Sequence, residues 1–282
     1  MIYFTENDID RLIEDDVPMG DMTSGLMGLE GKRGTIALYA RNDMIACCTE
    51  EASRMYLKAG LDVSFMVPSG TAIKKGGKLI EASGNAAAIH MVWRTGLVII
   101  EFASGIACRT RKLVTMAQAV NPEVTVAGTR KHPPFLKKVA LKALIAGGGI
   151  PHRTGLSDTI LIFREHLEFL GGYKKLGSII DHIRSLQKER KIVVESHTPE
   201  ECAYCVKAGA DAIQIDKMTP HQFKECAKGC KSINSDVCMI AAGGVNGSNI
   251  VDYAVAGADV LVTSFMYFAP PADIKAKIDP IA

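Results

Sequence analysis

From Pro122 onward, short runs of branched aliphatic residues alternate with segments patterned as helices. The runs are VTVAG at Val124, DTILIF at Ile160, KIVVES at Val193, AIQID at Ile213, VCMIAAGG at Met239 and DVLVTSF at Val260. Each is apolar on both faces and short, the pattern of a strand covered on both sides. Helical segments such as PEECAYCVKAGA and GSNIVDYAVAGA lie between them. Both end in Ala-Gly-Ala-Asp, at Asp211 and Asp259, where glycine stops the helix before the next strand. The rhythm predicts six βα units, with a seventh near Gly149. No G-x-G-x-x-G follows the first strand, so a closed or nearly closed barrel fits better than a doubly wound sheet.

The first half has a different pattern. Thr5 with Asp8 three residues on predicts a capped helix to about Glu14, broken by Pro18 and Gly20. GTIALYA, DVSFMV and KLIEASG then predict a small antiparallel sheet, with one helical insert around EEASRMYLKAG. A long apolar helical stretch follows, with a bend expected at Ser104-Gly105. Its longest uninterrupted apolar run, GLVII before Glu101, is too short to span a bilayer, so no membrane partner is expected.

Composition narrows the class. Of 282 residues, 48% are hydrophobic and 23% charged, which excludes a disordered or fibrous chain. A net charge of +2 does not suggest nucleic acid as a partner. Its distribution says more. Between Phe102 and Ser157 nine Lys or Arg face a single carboxylate, Glu123, as expected of a pocket for a polyanionic small molecule. Lys137, Lys138 and Lys142 in that stretch read as a solvated helix face. The eight cysteines point to a reducing cytoplasm. Cys202-x-x-Cys205 and Cys226-x-x-x-Cys230 have spacings compatible with zinc, but on helices they read equally as packing residues.

In a barrel, the C-terminal ends of the strands carry the chemistry. Those ends are Arg130-Lys131, Phe163, Glu195, Asp216, Gly243-Gly244 and Thr263-Ser264. Cations follow one strand, lone carboxylates two others, and a glycine pair and small hydroxyls the last two. Late glycines and hydroxyls suit a phosphate held by backbone N–H groups, and Glu195 and Asp216 suit ribose hydroxyls or hydrated magnesium.

Several motifs are specific. G-T-R-K from Gly128, A-G-G-G-x-x-H-R-x-G-L-S-D from Ala146, I-D-K at Asp216, A-A-G-G-V-N at Asn246, E-D-x-V-P-x-G-D-x-T at Asp21 and S-G-I-A at Ser104 occur in order along the chain. Together they resemble the quinolinate phosphoribosyltransferase family, also called nicotinate-nucleotide pyrophosphorylases. Q-I-D-K at Lys217, L-V-T-S at Ser264, P-P-A-D-I-K at Lys275 and L-I-F-x-x-H at His166 resemble the ModD branch, pyrophosphorylases named for an association with molybdenum transport.

The resemblance implies an α/β protein with an N-terminal α/β sandwich over 1–105 and an incomplete seven-stranded α/β barrel over 106–265. Residues 266–282 then pack back on the sandwich. It implies transfer of the phosphoribosyl group of phosphoribosyl pyrophosphate to a quinolinate-like heteroaromatic acceptor, with magnesium, without an organic cofactor, and with release of pyrophosphate. Residue by residue, Arg94 matches an arginine inserted from the neighbouring subunit of a homodimer or of a hexamer built from dimers. Arg130, Lys131, His152 and Arg153 match cations that hold substrate carboxylates. Glu195 and Asp216 match the carboxylates near ribose and magnesium, with Lys131 beside them in catalysis. Gly243, Gly244 and Ser264 match the 5′-phosphate loop. Four positions depart from the quinolinate enzymes: Phe163 replaces a lysine, Gly128 an aspartate, Lys217 an asparagine and Ala242 a serine. Phe163 removes a pocket cation, part of whose charge Lys217 is expected to supply at the substrate from the next rim, so the expected acceptor carries fewer negative charges than quinolinate or a larger apolar face. A non-catalytic oxyanion-binding regulator in molybdenum metabolism is the alternative. His90, His182 and His221 read as structural or solvated, while His166 and His197 are open.

Overall fold

The computed structural model describes residues 2–281. In chain order the first elements are α1 (Glu6–Asp16), α2 (Met22–Leu26), β1 (Arg33–Ala40), β2 (Met44–Ile45), α3 (Thr49–Lys58), β3 (Asp62–Met66), β4 (Ala72–Ile73), β5 (Lys78–Asn85) and α4 (Ala86–Gln118). Then follow β6 (Thr125–Gly128), α5 (Lys137–Ala146), β7 (Ile150–Pro151), β8 (Ile160–Ile162), α6 (Arg164–Glu168), α7 (Leu176–Leu186), β9 (Ile192–Ser196) and α8 (Pro199–Lys207). The last are β10 (Ala212–Asp216), α9 (Pro220–Ile233), β11 (Cys238–Ala242), α10 (Ile250–Val255), β12 (Val260–Thr263) and β13 (Ile274–Pro280). They form two compact units. One comprises Met1–Arg111, His132–Gly148 and Met266–Ala282; the other comprises Lys112–Lys131 and Gly149–Phe265.

The first unit is built on an antiparallel sheet of order β13-β1-β5-β3. Ile36, Leu38 and Ala40 alternate along β1 and are buried, as the period of two demands. The Thr5 cap forms as expected: its side chain accepts from the Asp8 N–H, and the Asp8 carboxylate accepts from the Thr5 N–H at 2.6 Å.

Helix α4 and the α5 lysines bear on the sequence expectations for this unit. Helix α4 continues through Ser104-Gly105, the position where a bend is expected. Gly105 serves close approach: a Cβ there would stand 2.2 Å from the Pro270 carbonyl oxygen of the returning C-terminal segment. The same helix is also more apolar than GLVII alone suggests. Over its 33 residues the polar positions are spaced widely enough for a mean hydropathy of 1.4 in its best 18-residue stretch, which meets the length and composition of a bilayer-crossing helix. Of that stretch, 56% is buried inside the protein, as in a core helix. Lys142, expected on a solvated helix face, is not solvated. Its ammonium pairs with Glu51 at 2.5 Å and Glu50 at 2.9 Å, and its side chain is only 15% exposed. Lys138 pairs with Asp8 at 2.5 Å, holding that carboxyl down to about 2, while Lys137 is exposed as expected.

The second unit is a parallel seven-stranded sheet of order β7-β6-β12-β11-β10-β9-β8. Chain order and spatial order agree around a ring that closes by β6 pairing with β12. Strands β7 and β8 are the two edges, and they do not pair with each other among the described residues. This is the incomplete barrel expected. The seventh strand is two residues, Ile150–Pro151, paired to Ala127 and Gly128. Ala127, Leu161, Val193, Ala212, Ile240, Ala242 and Val262 form one buried layer inside it. Outside, α8 and α9 start at Thr198-Pro199 and Thr219-Pro220, each capped by its threonine. Cys202, Cys205, Cys226 and Cys230 lie on these two helices, as read from the sequence, and all four are buried.

Candidate active site

Side-chain alternation fixes what the barrel mouth presents. Two residues beyond the apolar layer stand Phe163 after Leu161, Glu195 after Val193, Gln214 and then Asp216 after Ala212, Gly244 after Ala242, and Ser264 after Val262. Sequence position alone therefore gathers a ring, two carboxylates, an amide, a glycine turn and a hydroxyl around one opening.

Glu195 and Asp216 sit on neighbouring strands with side chains 14% and 17% exposed. Burial pushes the Glu195 carboxyl above its ordinary range, and the Asp216 charge adds to that push. Two contacts oppose it. The Gln214 amide donates to Glu195 at 2.7 Å, and His197 stands 3.6 Å away. His197, open in the sequence, thus belongs to this cluster. Two half-buried like charges held together are a natural seat for a cation.

The neighbouring strand ends turn sharply to make room. Lys217 has φ +60 and donates its N–H to the Ala242 carbonyl at 3.0 Å, leaving its side chain 81% exposed with the ammonium 3.5 Å from Asp216. Gly243 and Gly244 follow at φ +78 and +89. A Cβ on Gly243 would lie 2.3 Å from the Asp216 carboxylate, so glycine is required for the carboxylate to rest there. Asn246 and Asn249 donate to the Gly244 carbonyl at 2.9 and 3.1 Å and fix the loop. The Thr263 hydroxyl donates to the Val245 carbonyl and accepts from the Phe265 N–H, which ties the Ser264 turn to the same loop.

The cations line β6 and β7. Arg130 and Lys131 are exposed, Lys131 with its N–H on the Thr129 hydroxyl at 3.0 Å. His152 is anchored through its N–H to the Gly128 carbonyl. Arg153 is 9% exposed, and its guanidinium lies 5.9 Å from the centre of the Phe163 ring, spanning the open seam between β7 and β8. It has no ion pair or hydrogen bond among the described residues. Burial and the nearby Arg130 push it below its ordinary value, with Asp158 opposing. Burial and Arg153 together push His152 down to about 4, so this imidazole is neutral at pH 7 in the free protein.

That shift has a measurable consequence. A histidine held neutral in the fold but titrating near 6.5 when unfolded contributes stability above pH ~6.5, lost as pH falls toward about 4. The thermal midpoint should therefore fall on acidification through this window. His152→Asn should flatten the slope by up to roughly 2 to 3 kcal/mol of differential stability. Equal slopes in both proteins would refute the burial argument.

Phe163 accepts packing from the barrel layer, and its N–H donates to His166 Nδ1 at 3.0 Å. His166 thus caps the short helix α6 instead of entering the opening. Arg94 belongs to the first unit. It is exposed on α4 with its guanidinium 4.2 Å from the centre of the Trp93 ring, and it lines an open groove of about 380 Å³ with Leu12, Val98, Phe102 and Leu136. Sequence reading missed Gln214 and Asn249. Two-residue alternation from Asp216 would have flagged the first, and the cap position of α10 the second.

Comparison with known proteins agrees with this architecture. The description of the quinolinate phosphoribosyl transferase N-terminal domain matches residues 21–104, and that of the C-terminal domain matches residues 106–277. The protein named as the ModD pyrophosphorylase of Pasteurella multocida is 32% identical over 99% of both chains. Its counterpart in Rhodobacter capsulatus is 36% identical over 88% of this chain and 95% of that protein. The solved nicotinate-nucleotide pyrophosphorylase of Francisella tularensis shares the fold at a TM-score of 0.88, with 23% identity and 99% of each chain covered. That of Ehrlichia chaffeensis reaches 0.89 at 22% identity, covering 99% of this chain and all of its own. With both domains matched in order and full-length relatives above 30% identity, this chain belongs to the quinolinate phosphoribosyl transferase family.

Proposed function

We propose that the protein transfers the phosphoribosyl group of phosphoribosyl pyrophosphate to a small heteroaromatic acid, releasing pyrophosphate. The observation that carries this reading is Arg153, a buried residue whose guanidinium has no ion pair and lies against the Phe163 ring, on the rim where Glu195 and Asp216 stand at the ends of the next two strands. A buried charge without a partner is costly unless a ligand supplies one. An anionic acceptor does, with Arg130, Lys131 and His152 beside it. The looped backbone at Gly243, Gly244 and Ser264 takes the 5′-phosphate, and Glu195 and Asp216 take the ribose side. Departure of pyrophosphate leaves positive charge on the ribosyl carbon. The two carboxylates stabilise that charge, and the cations hold the acceptor in line for attack. No covalent nucleophile is needed. A non-catalytic oxyanion sensor would have no use for paired carboxylates beside its cations.

Glu195 and Asp216 also fit magnesium by donor type. Among the described residues no third His, Cys, Asp or Glu completes a cage. A magnesium ion would thus be held there together with substrate phosphates, where it neutralises the leaving pyrophosphate. Exposed Arg94 on its open groove supports a homodimer, or a hexamer of dimers, in which this arginine reaches the neighbouring subunit's opening. Eight free cysteines, most of them buried, support a cytoplasmic location, and the likeness to ModD proteins supports a role beside molybdenum metabolism.

Phe163 sets the acceptor. An aromatic ring cannot pair with a second carboxylate, and a site without a partner for a charge rejects it. Phosphoribosyl pyrophosphate is expected to bind in a magnesium-dependent manner by calorimetry, while quinolinate turns over below roughly 1 per second. Phe163→Lys should shift preference toward quinolinate. Absence of magnesium-dependent binding would overturn the transferase reading. Fast quinolinate turnover by the wild-type protein would overturn only the acceptor.

A further inference from the structure

Among the described residues of the barrel unit, two side chains hold a buried oxygen without a partner, Thr159 just before β8 and Gln214 within β10, and only Gln214 lies beside the carboxylates. It belongs to β10 opposite Glu195 in the strand register, and one residue past the last β8–β9 pair stands Phe163. Three adjacent strands thus present a ring, a carboxylate and an amide at one height. Gln214 is 6% exposed. Its Nε2 donates to Glu195 Oε2 at 2.7 Å, whereas its Oε1 is buried without any partner. The amide cannot relieve this by rotating, because Oε1 would then face an ionised carboxylate oxygen. Glu195 therefore locks the amide with its acceptor free. Buried carbonyl oxygens are seldom left so, and each calls for a donor.

We infer that Gln214 is a specificity-determining residue that accepts a hydrogen bond from a hydroxyl or N–H group of the bound substrate. Glu195, Asp216 and Gln214 offer acceptor oxygens at this height, and one of the two Gln214 amide hydrogens is already committed to Glu195. A ligand group carrying a proton completes the free Gln214 oxygen, and one carrying only lone pairs leaves that oxygen without a donor. Such a group has two sources: a ribose hydroxyl of phosphoribosyl pyrophosphate, or an amino or hydroxyl substituent on a ring lying against Phe163. The inference rests on the transferase reading and deepens it.

The test uses the full-length protein and the Gln214→Met variant, which keeps the chain length and removes both amide functions. Gln214→Asn, which withdraws the acceptor by one methylene, gives the same readout if the Met variant does not fold. Calorimetry with magnesium and phosphoribosyl pyrophosphate forms one arm, with ribose 5-phosphate as the minimal probe. The second arm compares nicotinate with 6-aminonicotinate and 6-hydroxynicotinate in the presence of pyrophosphate and magnesium. Each is read across pH, since losing Nε2 also makes Glu195 easier to protonate. A loss of about tenfold in affinity for both ribose probes identifies the sugar as the donor. Unchanged ribose binding with loss of any preference for the substituted rings identifies the acceptor. Wild-type and variant values within twofold in both arms overturn the inference. A wild-type protein that binds none of these probes overturns the transferase reading and the inference with it.

Discussion

Replacing Arg153 with methionine should abolish anion binding while leaving the free protein as stable as before, or more so. Truncating one side of a buried charge pair costs roughly 2 to 5 kcal/mol of binding, or about 30-fold to several thousandfold in affinity. In the unliganded chain Arg153 as a residue is 9% exposed, and its guanidinium is repelled by Arg130 and steadied chiefly by the Phe163 ring and more distant Asp158. Its removal relieves a desolvated charge, and an apolar side chain of similar length keeps the packing. The expected pair of results is a thermal midpoint unchanged or raised and a lost calorimetric signal with phosphoribosyl pyrophosphate or acceptor. Arg130 and Lys131, both exposed, should lose less, on the order of 1 kcal/mol each, because their charges remain solvated either way. Lys137→Met, on the exposed face of α5, should do nothing. A destabilised Arg153→Met that still binds would show that the guanidinium is a structural group.

The contrast between Arg153 and Lys142 shows where sequence reading reaches its limit. Both lie in the basic stretch from Phe102 to Ser157, and both are largely withdrawn from solvent. Lys142 is neutralised by Glu50 and Glu51, some ninety residues earlier in the chain. Nothing local to Lys142 announces that partner, so it reads as a solvated cation. The strands and rim were legible for the opposite reason. Apolar runs and a period of two are local properties, and they place Glu195, Asp216 and Phe163 at strand ends without any long-range knowledge. Gln214 was equally local. Yet a single amide inside an apolar strand carries no chemical signature until its partner, Glu195, is seen across the register. Gly105 shows the same limit: its close approach to Pro270, 165 residues later in the chain, has no local signature.

Gly243→Ala should lower catalytic efficiency by about a hundredfold or more without unfolding the barrel. Two effects contribute, and they are separable. The backbone at φ +78 strains any side chain, at roughly 1 to 2 kcal/mol. The new Cβ would also stand 2.3 Å from the Asp216 carboxylate and 2.7 Å from the Lys217 backbone nitrogen, so the carboxylate must move. Strain alone is isolated by Gly257→Ala, at φ +90 just past α10, where a Cβ meets nothing within 4 Å. That variant should lose a similar amount of thermal stability and keep its activity. Displacement of Asp216 is isolated by combining Gly243→Ala with Asp216→Asn. If the methyl acts through the carboxylate, it should add almost nothing to the catalytic loss of Asp216→Asn, while its stability cost persists in full. Independent, additive losses in kcat/KM would mean that Gly243 touches the phosphate directly and that Asp216 is not the group it shelters.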